Sequence, residues 1–188
     1  MILGSRDAQR ASETAAGLTL IGSGSVSGGT NEDAADADVV IVATPWDSAV
    51  ATVKDVKARL EGKVVVSMVN ALQKQGRELV PLFPPRGSMA AEIQAAVPGA
   101  RVTGAYHHLP AADMENLDSD LNADVVIVGD DADARRTTVE ITDAMSGLRA
   151  VEAGSLALAG AVESFTAVCI SINIRHKAHT YVRLAGLA

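Results

Sequence analysis

With 188 residues, the chain has room for one or two small domains and a sizeable core. A net charge of −7 argues against a general nucleic-acid binder, because neutralising phosphates takes clustered Lys and Arg; the lone Cys169 excludes an internal disulfide and any multi-cysteine metal site. Apolar residues make up 48% of the chain but aromatic ones only 3%, so Ala, Val, Leu and Gly must build the core, as in tightly packed α/β proteins.

The chain opens with a strand as short as Ile2 and Leu3, a Gly4-Ser5-Arg6 turn and the start of a helix. Residues 21–33, IGSGSVSGGTNED, read as a flexible Gly/Ser loop that ends where Thr30 or Asn31 caps a short acidic helix. Gly22 and Gly24 form a GxG, but no long helix follows directly and a third glycine at the right spacing is missing, so a surface connection is expected rather than a phosphate loop. Four apolar runs read as strands: ADVVIVAT (37–44), KVVVSMV (63–69), ARVTGAY (100–106) and DVVIVGD (124–130). Val and Ile dominate them, Pro or Gly closes them, and burial on both faces marks parallel strands. Helical spacing over 47–60 (Val50, Val53, Val56, Leu60), 87–96 and 132–145 places helices between them. That alternation predicts a doubly wound α/β fold with a parallel sheet. After Gly154 a single apolar stripe runs from Leu156 to Ile174 and reads as a long buried helix, of the kind that forms dimer or domain interfaces. No run reaches the roughly 18 apolar residues of a membrane span, and no signal peptide is evident, so no membrane partner and a cytoplasmic location are expected.

Three stretches carry candidate chemistry. At the end of the second strand of a dinucleotide-binding sheet, an acidic residue selects NAD, whereas a small residue followed by Arg accepts the 2′-phosphate of NADP. Gly4-Ser5-Arg6 fits the second case: Ser5 offers a hydroxyl and Arg6 a guanidinium fork, and Arg10, one turn later, shares its face. In VIVATPWDSA, Thr44-Pro45-Trp46 ends a strand and Asp47 or Ser48 can cap the helix. Trp46 either lines a cofactor groove or covers the sheet edge. In AYHHLPA, adjacent side chains on extended backbone point opposite ways, so one of His107 and His108 lines a pocket and a two-histidine metal site is not expected. His176 and His179 share a helix face without a carboxylate partner motif, which also speaks against metal. No nucleophile–base arrangement is present, which is compatible with direct hydride transfer between two bound carriers.

Taken in order, LGSRD, EDAADADVVIVATPW, VVVSMVN, PPRGSMAAEIQAAVPGARV, YHHLPA, ENLD, DVVIVGDDADA, GLRAVEAGSL and RHKAH resemble the NADPH-dependent coenzyme F-420 reductases over essentially the whole chain. The resemblance implies a Rossmann-like fold, an oxidoreductase moving a hydride between NADP(H) and the deazaflavin coenzyme F-420, and a homodimer. It implies that Ser5, Arg6 and Arg10 bind the 2′-phosphate and that Thr44, Pro45 and Trp46 line the cofactor path. His107, Leu109 and Pro110 fall on the deazaflavin side. It also implies residues 1–110 as the NADP-binding domain and 111–188 as a C-terminal helical region for deazaflavin binding and dimerisation. Family members begin with a strand, a GGTGxxG turn and a helix, whereas Met1 here starts at the second strand; the expectation is an N-terminally truncated sheet whose next strand lacks a pairing partner. Ser155, Leu158 and Gly160 stand where relatives usually carry Pro, Asn and Arg. Other readings are a different small NADP-dependent reductase, of ferric or imine type, and a non-catalytic dimerisation or binding module.

Overall fold

A computed structural model describes residues 1–18, 24–116 and 121–187. Gly22, the first part of the 21–33 segment, and Leu117 and Asp118 of ENLD lie outside the described residues. In chain order the elements are β1 (Ile2–Ser5), α1 (Ala8–Ala16), β2 (Ser27–Thr30), α2 (Asn31–Ala35), β3 (Val39–Val42), α3 (Trp46–Asp55), β4 (Val64–Ser67), β5 (Leu72–Gln75), β6 (Glu78–Pro81), α4 (Met89–Ala96), β7 (Arg101–Gly104), α5 (Ala111–Glu115), β8 (Ala123–Gly129), α6 (Ala132–Asp143), β9 (Leu148–Gly154) and α7 (Ala159–His176).

The main sheet runs β3-β4-β7-β8-β9. Its strands pair in parallel except for β7 against β8, which is antiparallel. The expected α/β class and doubly wound, largely parallel sheet are therefore present. Every residue of β4 is buried, and alternate residues serve opposite faces. Val65 packs with Ala49, Val53, Ala90 and Ile93 of α3 and α4, while Val64 and Val66 pack with Ala134 and Val139 of α6. Helices on both faces are why the strand sequences are continuously apolar rather than alternating.

The N-terminal strands form a separate ladder. β1 pairs in parallel with β2, and no strand among the described residues takes the other edge of β1 or the free edge of β3. Ile2 and Ile41 are exposed although apolar. Thr30 caps α2 in a complete capping box with Asp33, as the sequence suggests, but residues 27–30 are strand rather than loop. Gly28 explains the composition: a Cβ there would sit 2.1 Å from the Ser12 nitrogen, so only glycine lets β2 pass this close to α1.

Two further elements depart from expectation. LQKQGRELVP forms the hairpin β5–β6, turning on Gly76 and Arg77 with Gly76 at φ +63. LRAVEAG forms β9, which completes the sheet edge and is clasped by residues following α7. Asp124, wholly buried on β8, receives Arg149, Arg183 and the Leu184 amide. Arg149 leads the causes that hold its carboxyl at about 2.

Candidate functional site

Ligands of open α/β sheets bind outside the carboxyl ends of the strands. Here the turns after β1, β3, β4 and β7 supply that end of the molecule. After β1, Asp7 accepts the Arg10 amide at 3.1 Å and so caps α1, while its own amide donates to Ser5 Oγ at 3.1 Å. Asp7 is thus committed to the helix start. Arg6 and Arg10 are exposed, and neither guanidinium makes an ion pair or hydrogen bond with a described residue. Two unpaired arginines beside a serine hydroxyl form a donor set that suits a phosphate dianion.

After β3, Pro45 occupies the cap position of α3 with no side-chain cap. Neither Asp47 nor Ser48 caps the helix, contrary to expectation: the Ser48 hydroxyl donates to the Pro45 carbonyl at 3.1 Å instead. Thr44 Oγ1 is buried without a hydrogen-bond partner. Trp46, 40% exposed, lines a groove of about 420 Å³ with Val50, Leu82, Phe83, Pro84 and Met89. Phe83, at 76% exposed, was not singled out by the sequence pattern and is the second large ring of this groove.

After β7 the chain is strained and tightly held. Tyr106 has φ +65, a conformation that a bulky residue adopts only when its surroundings impose it. Asn70, just beyond β4, donates to the His107 carbonyl at 3.2 Å, and its Oδ1 meets His107 Nδ1 at 3.1 Å. The Thr166 hydroxyl of α7 lies 3.1 Å from the same carbonyl. Because Asn70 Nδ2 faces a carbonyl, Oδ1 must accept, which assigns the ring proton of His107 to Nδ1. Nε2 is then a lone pair, buried without a partner over Gly104, where a Cβ would come within 3.2 Å of it. Burial, assisted by the neighbouring His108, drives the His107 imidazole down to about 3. His108 donates from Nε2 to the Val162 carbonyl at 2.7 Å and stands edge-on to Phe165. Burial lowers its pKa too, against the pull of that carbonyl.

The bent backbone therefore buries both histidines, where an extended one would have sent them to opposite sides. Leu109 and Pro110 are the half-buried residues of the segment. Tyr106 is fixed from beneath by hydroxyls of α6. Thr142 and Thr138 donate to the Thr138 and Ala134 carbonyls, so Thr142 must accept from the Tyr106 hydroxyl at 2.9 Å and Thr138 from Thr103 at 3.0 Å. Asn70 and Thr166 were missed by the sequence reading. Asn70 could have been found from its place directly after the VVVSMV run; Thr166, lying 59 residues from its partner His107, carries no local signal.

Residues 1–71 match the family described as NADP oxidoreductase, coenzyme F420-dependent. Among curated proteins, the F420-dependent NADP reductase of Methanocaldococcus jannaschii is 31% identical over 198 aligned positions that span 100% of this chain and 88% of that protein. The F420-dependent NADP reductase of Methanothermobacter thermautotrophicus is 30% identical, across 100% of this chain and 82% of its own. Among solved structures, a protein of Arthrobacter sp. FB24, provisionally described as an F420-dependent NADP-reductase, superposes with a TM-score of 0.76 at 23% identity, covering 85% of this chain and 76% of that one. That likeness speaks to the fold.

Proposed function

The chain belongs to the F420-dependent NADP reductase family, and on that footing we propose that it transfers a hydride between NADP(H) and coenzyme F420. The observation that carries the reading is the pair of exposed guanidiniums, Arg6 and Arg10, which have no partner among the described residues and follow Ser5 at the end of β1. NADP carries a 2′-phosphate that NAD lacks, and these three side chains are its natural partners. The nicotinamide and deazaflavin rings supply the redox chemistry when bound, exchanging the hydride between nicotinamide C4 and deazaflavin C5. The protein's part is to hold them. Thr44, with its free buried hydroxyl, Pro45 and Trp46 line the path of the nicotinamide half. His107, neutral and clasped, fixes the turn that presents Leu109 and Pro110 to the deazaflavin. No side chain of this set is required as acid or base toward the hydride itself.

The division at residue 110 into an NADP-binding part and a deazaflavin-binding part is one of ligand role, since β8 and β9 continue the same sheet. We assign the exposed stripe of α7 to a second copy of the chain. Phe165, Val168 and Ile172 stand exposed at the 3-4 spacing of a helix–helix seam. Residues Leu156–His176 are also long and apolar enough by composition to cross a membrane. Against that use, Glu163 lies buried on the same helix and packs it onto α4.

The test is turnover of NADPH with coenzyme F420, with NADH as control. NADPH-specific turnover that weakens in Arg6→Ala supports the reading. Absence of both turnover and NADPH binding in the folded chain rejects it. Sedimentation of the chain and of Phe165→Glu tests the dimer, the variant being expected to run as a monomer.

A further inference from the structure

Asn70 stands between the two halves of the proposed site. The chain leaving β4 is bonded on both sides: the Met68 amide donates to the Val42 carbonyl at 3.2 Å, and the Ser67 carbonyl accepts the Ala105 amide at 3.0 Å. Val42 ends the strand that leads to Thr44, Pro45 and Trp46, and Ala105 opens the turn that leads to His107, Leu109 and Pro110. Asn70 is flanked by the buried Val69 and Ala71, and the Leu82 amide donates to the Ala71 carbonyl at 2.8 Å. Its side chain is therefore mounted on backbone that packing and hydrogen bonds hold in place.

From that mount, one side-chain amide makes two bonds to a single residue. Nδ2 donates to the His107 carbonyl and Oδ1 accepts from Nδ1 of its ring, so the backbone and the ring of His107 are fixed together. The Thr166 hydroxyl, 3.1 Å from the same carbonyl and 3.2 Å from Asn70 Oδ1, closes the cluster from α7. The residue before His107 is Tyr106, whose φ of +65 is unfavourable for a bulky side chain. A turn held in such a conformation relaxes when its clasp is removed. The Tyr106 hydroxyl is anchored on Thr142, so the slack passes forward, into Leu109 and Pro110.

We propose that Asn70 is a positioning residue for hydride transfer: acting through His107, it sets the distance between the deazaflavin wall at Leu109 and Pro110 and the nicotinamide path at Thr44, Pro45 and Trp46. This rests on the hydride-transfer reading and deepens it. The part Asn70 plays is geometric and requires no contact with either ring. Reacting atoms have to be held about 3–3.5 Å apart, and a misplacement of about 1 Å costs on the order of a hundredfold in rate. Loss of Asn70 therefore acts on the transfer step, and leaves affinity for NADPH, whose phosphate is assigned to Ser5, Arg6 and Arg10, largely as it was.

The test compares the wild-type chain with Asn70→Ala at saturating NADPH and coenzyme F420. The variant is expected to lose about 10–100-fold in kcat while its KM for NADPH stays within about twofold of wild type. The primary isotope effect with NADPH deuterated at the transferred C4 position is expected to rise, because transfer becomes the slow step. In the ligand-free chain, the ring-nitrogen resonances of His107 are expected to place the proton on Nδ1 in the wild type and to lose that preference in Asn70→Ala. A folded Asn70→Ala with wild-type kcat and isotope effect overturns the proposal, however low its melting temperature, and so does a wild-type ring protonated on Nε2. Should Asn70→Ala fail to fold, Asn70→Asp decides instead: it keeps an acceptor for Nδ1 but loses the donor to the His107 carbonyl, and an unchanged kcat overturns the proposal. A wild-type chain without turnover rejects the hydride-transfer reading itself, whereas turnover that survives Asn70→Ala intact rejects this inference alone.

Discussion

The turns after β1 and after β7 occupy comparable places, each at the carboxyl end of a strand, yet they are built in opposite ways. Around Ser5 the guanidiniums of Arg6 and Arg10 are exposed and have no partner among the described residues. Around Tyr106, His107 and His108 almost every polar atom is satisfied, the rings are buried and the backbone is held in a strained conformation. The difference matches the roles proposed for the two turns. A phosphate brings its own charge and can order two exposed arginines on arrival, whereas a wall that sets the distance between two rings has to be in place beforehand.

If that contrast is right, the two turns should fail differently. Asn70→Ala removes the partner of the buried His107 Nδ1 and one of the two donors to its carbonyl, the Thr166 hydroxyl remaining as the other. It should cost about 2–4 kcal/mol of stability, read by urea denaturation, because buried groups are left unpaired. Acid should act on the same turn. Unfolded His107 takes a proton near 6.5 and the folded residue only near 3, so stability should fall as pH drops below 6.5, by roughly 1.4 kcal/mol per pH unit from this residue alone. His108 adds to the loss in the same direction. Denaturation curves at pH 7 and 5 check this, and an unchanged midpoint would count against the buried neutral pair. At the open turn, Arg6→Ala should leave stability alone and raise the KM for NADPH about 10–100-fold, with kcat little changed, as loss of a charge-assisted contact requires. Ser5→Ala should be milder, a few-fold in the same KM, since its hydroxyl is one neutral contact among several. A large stability loss in either variant would erase the contrast.

The open turn was also the more legible in the sequence. LGSRD states its chemistry locally: small residue, arginine, helix cap, second arginine one turn on. Likewise β3, β4 and β8 could be read from unbroken Val and Ile, because burial on both faces leaves no polar alternation. The hairpin at Gly76 was hidden because its strands are short and β5 is mostly exposed, and β2 because two of its four residues are glycines demanded by close neighbours. The closed turn was illegible for a different reason. HHLPA shows that something is there, but its partners Asn70 and Thr166 lie 37 and 59 residues from His107. The φ of Tyr106 has no signature in a non-glycine residue. Nor could the antiparallel pairing of β7 with β8 be seen, since an apolar run buried on both faces carries no mark of its direction.

The hydroxyls beneath Tyr106 have a consequence for how this sequence is free to drift. Thr142 already donates to its own helix, so it has only a lone pair to offer the phenol. Substituting Phe at 106 or Val at 142 leaves the other partner's buried hydroxyl short of a bond, while making both changes together leaves none. The pair should therefore be mutationally coupled, with the double variant more stable than the sum of the single losses allows. Thr103 and Thr138 stand in the same relation one turn away. The interior of this end of the molecule would then be crossed in evolution by paired steps, with the single steps selected against.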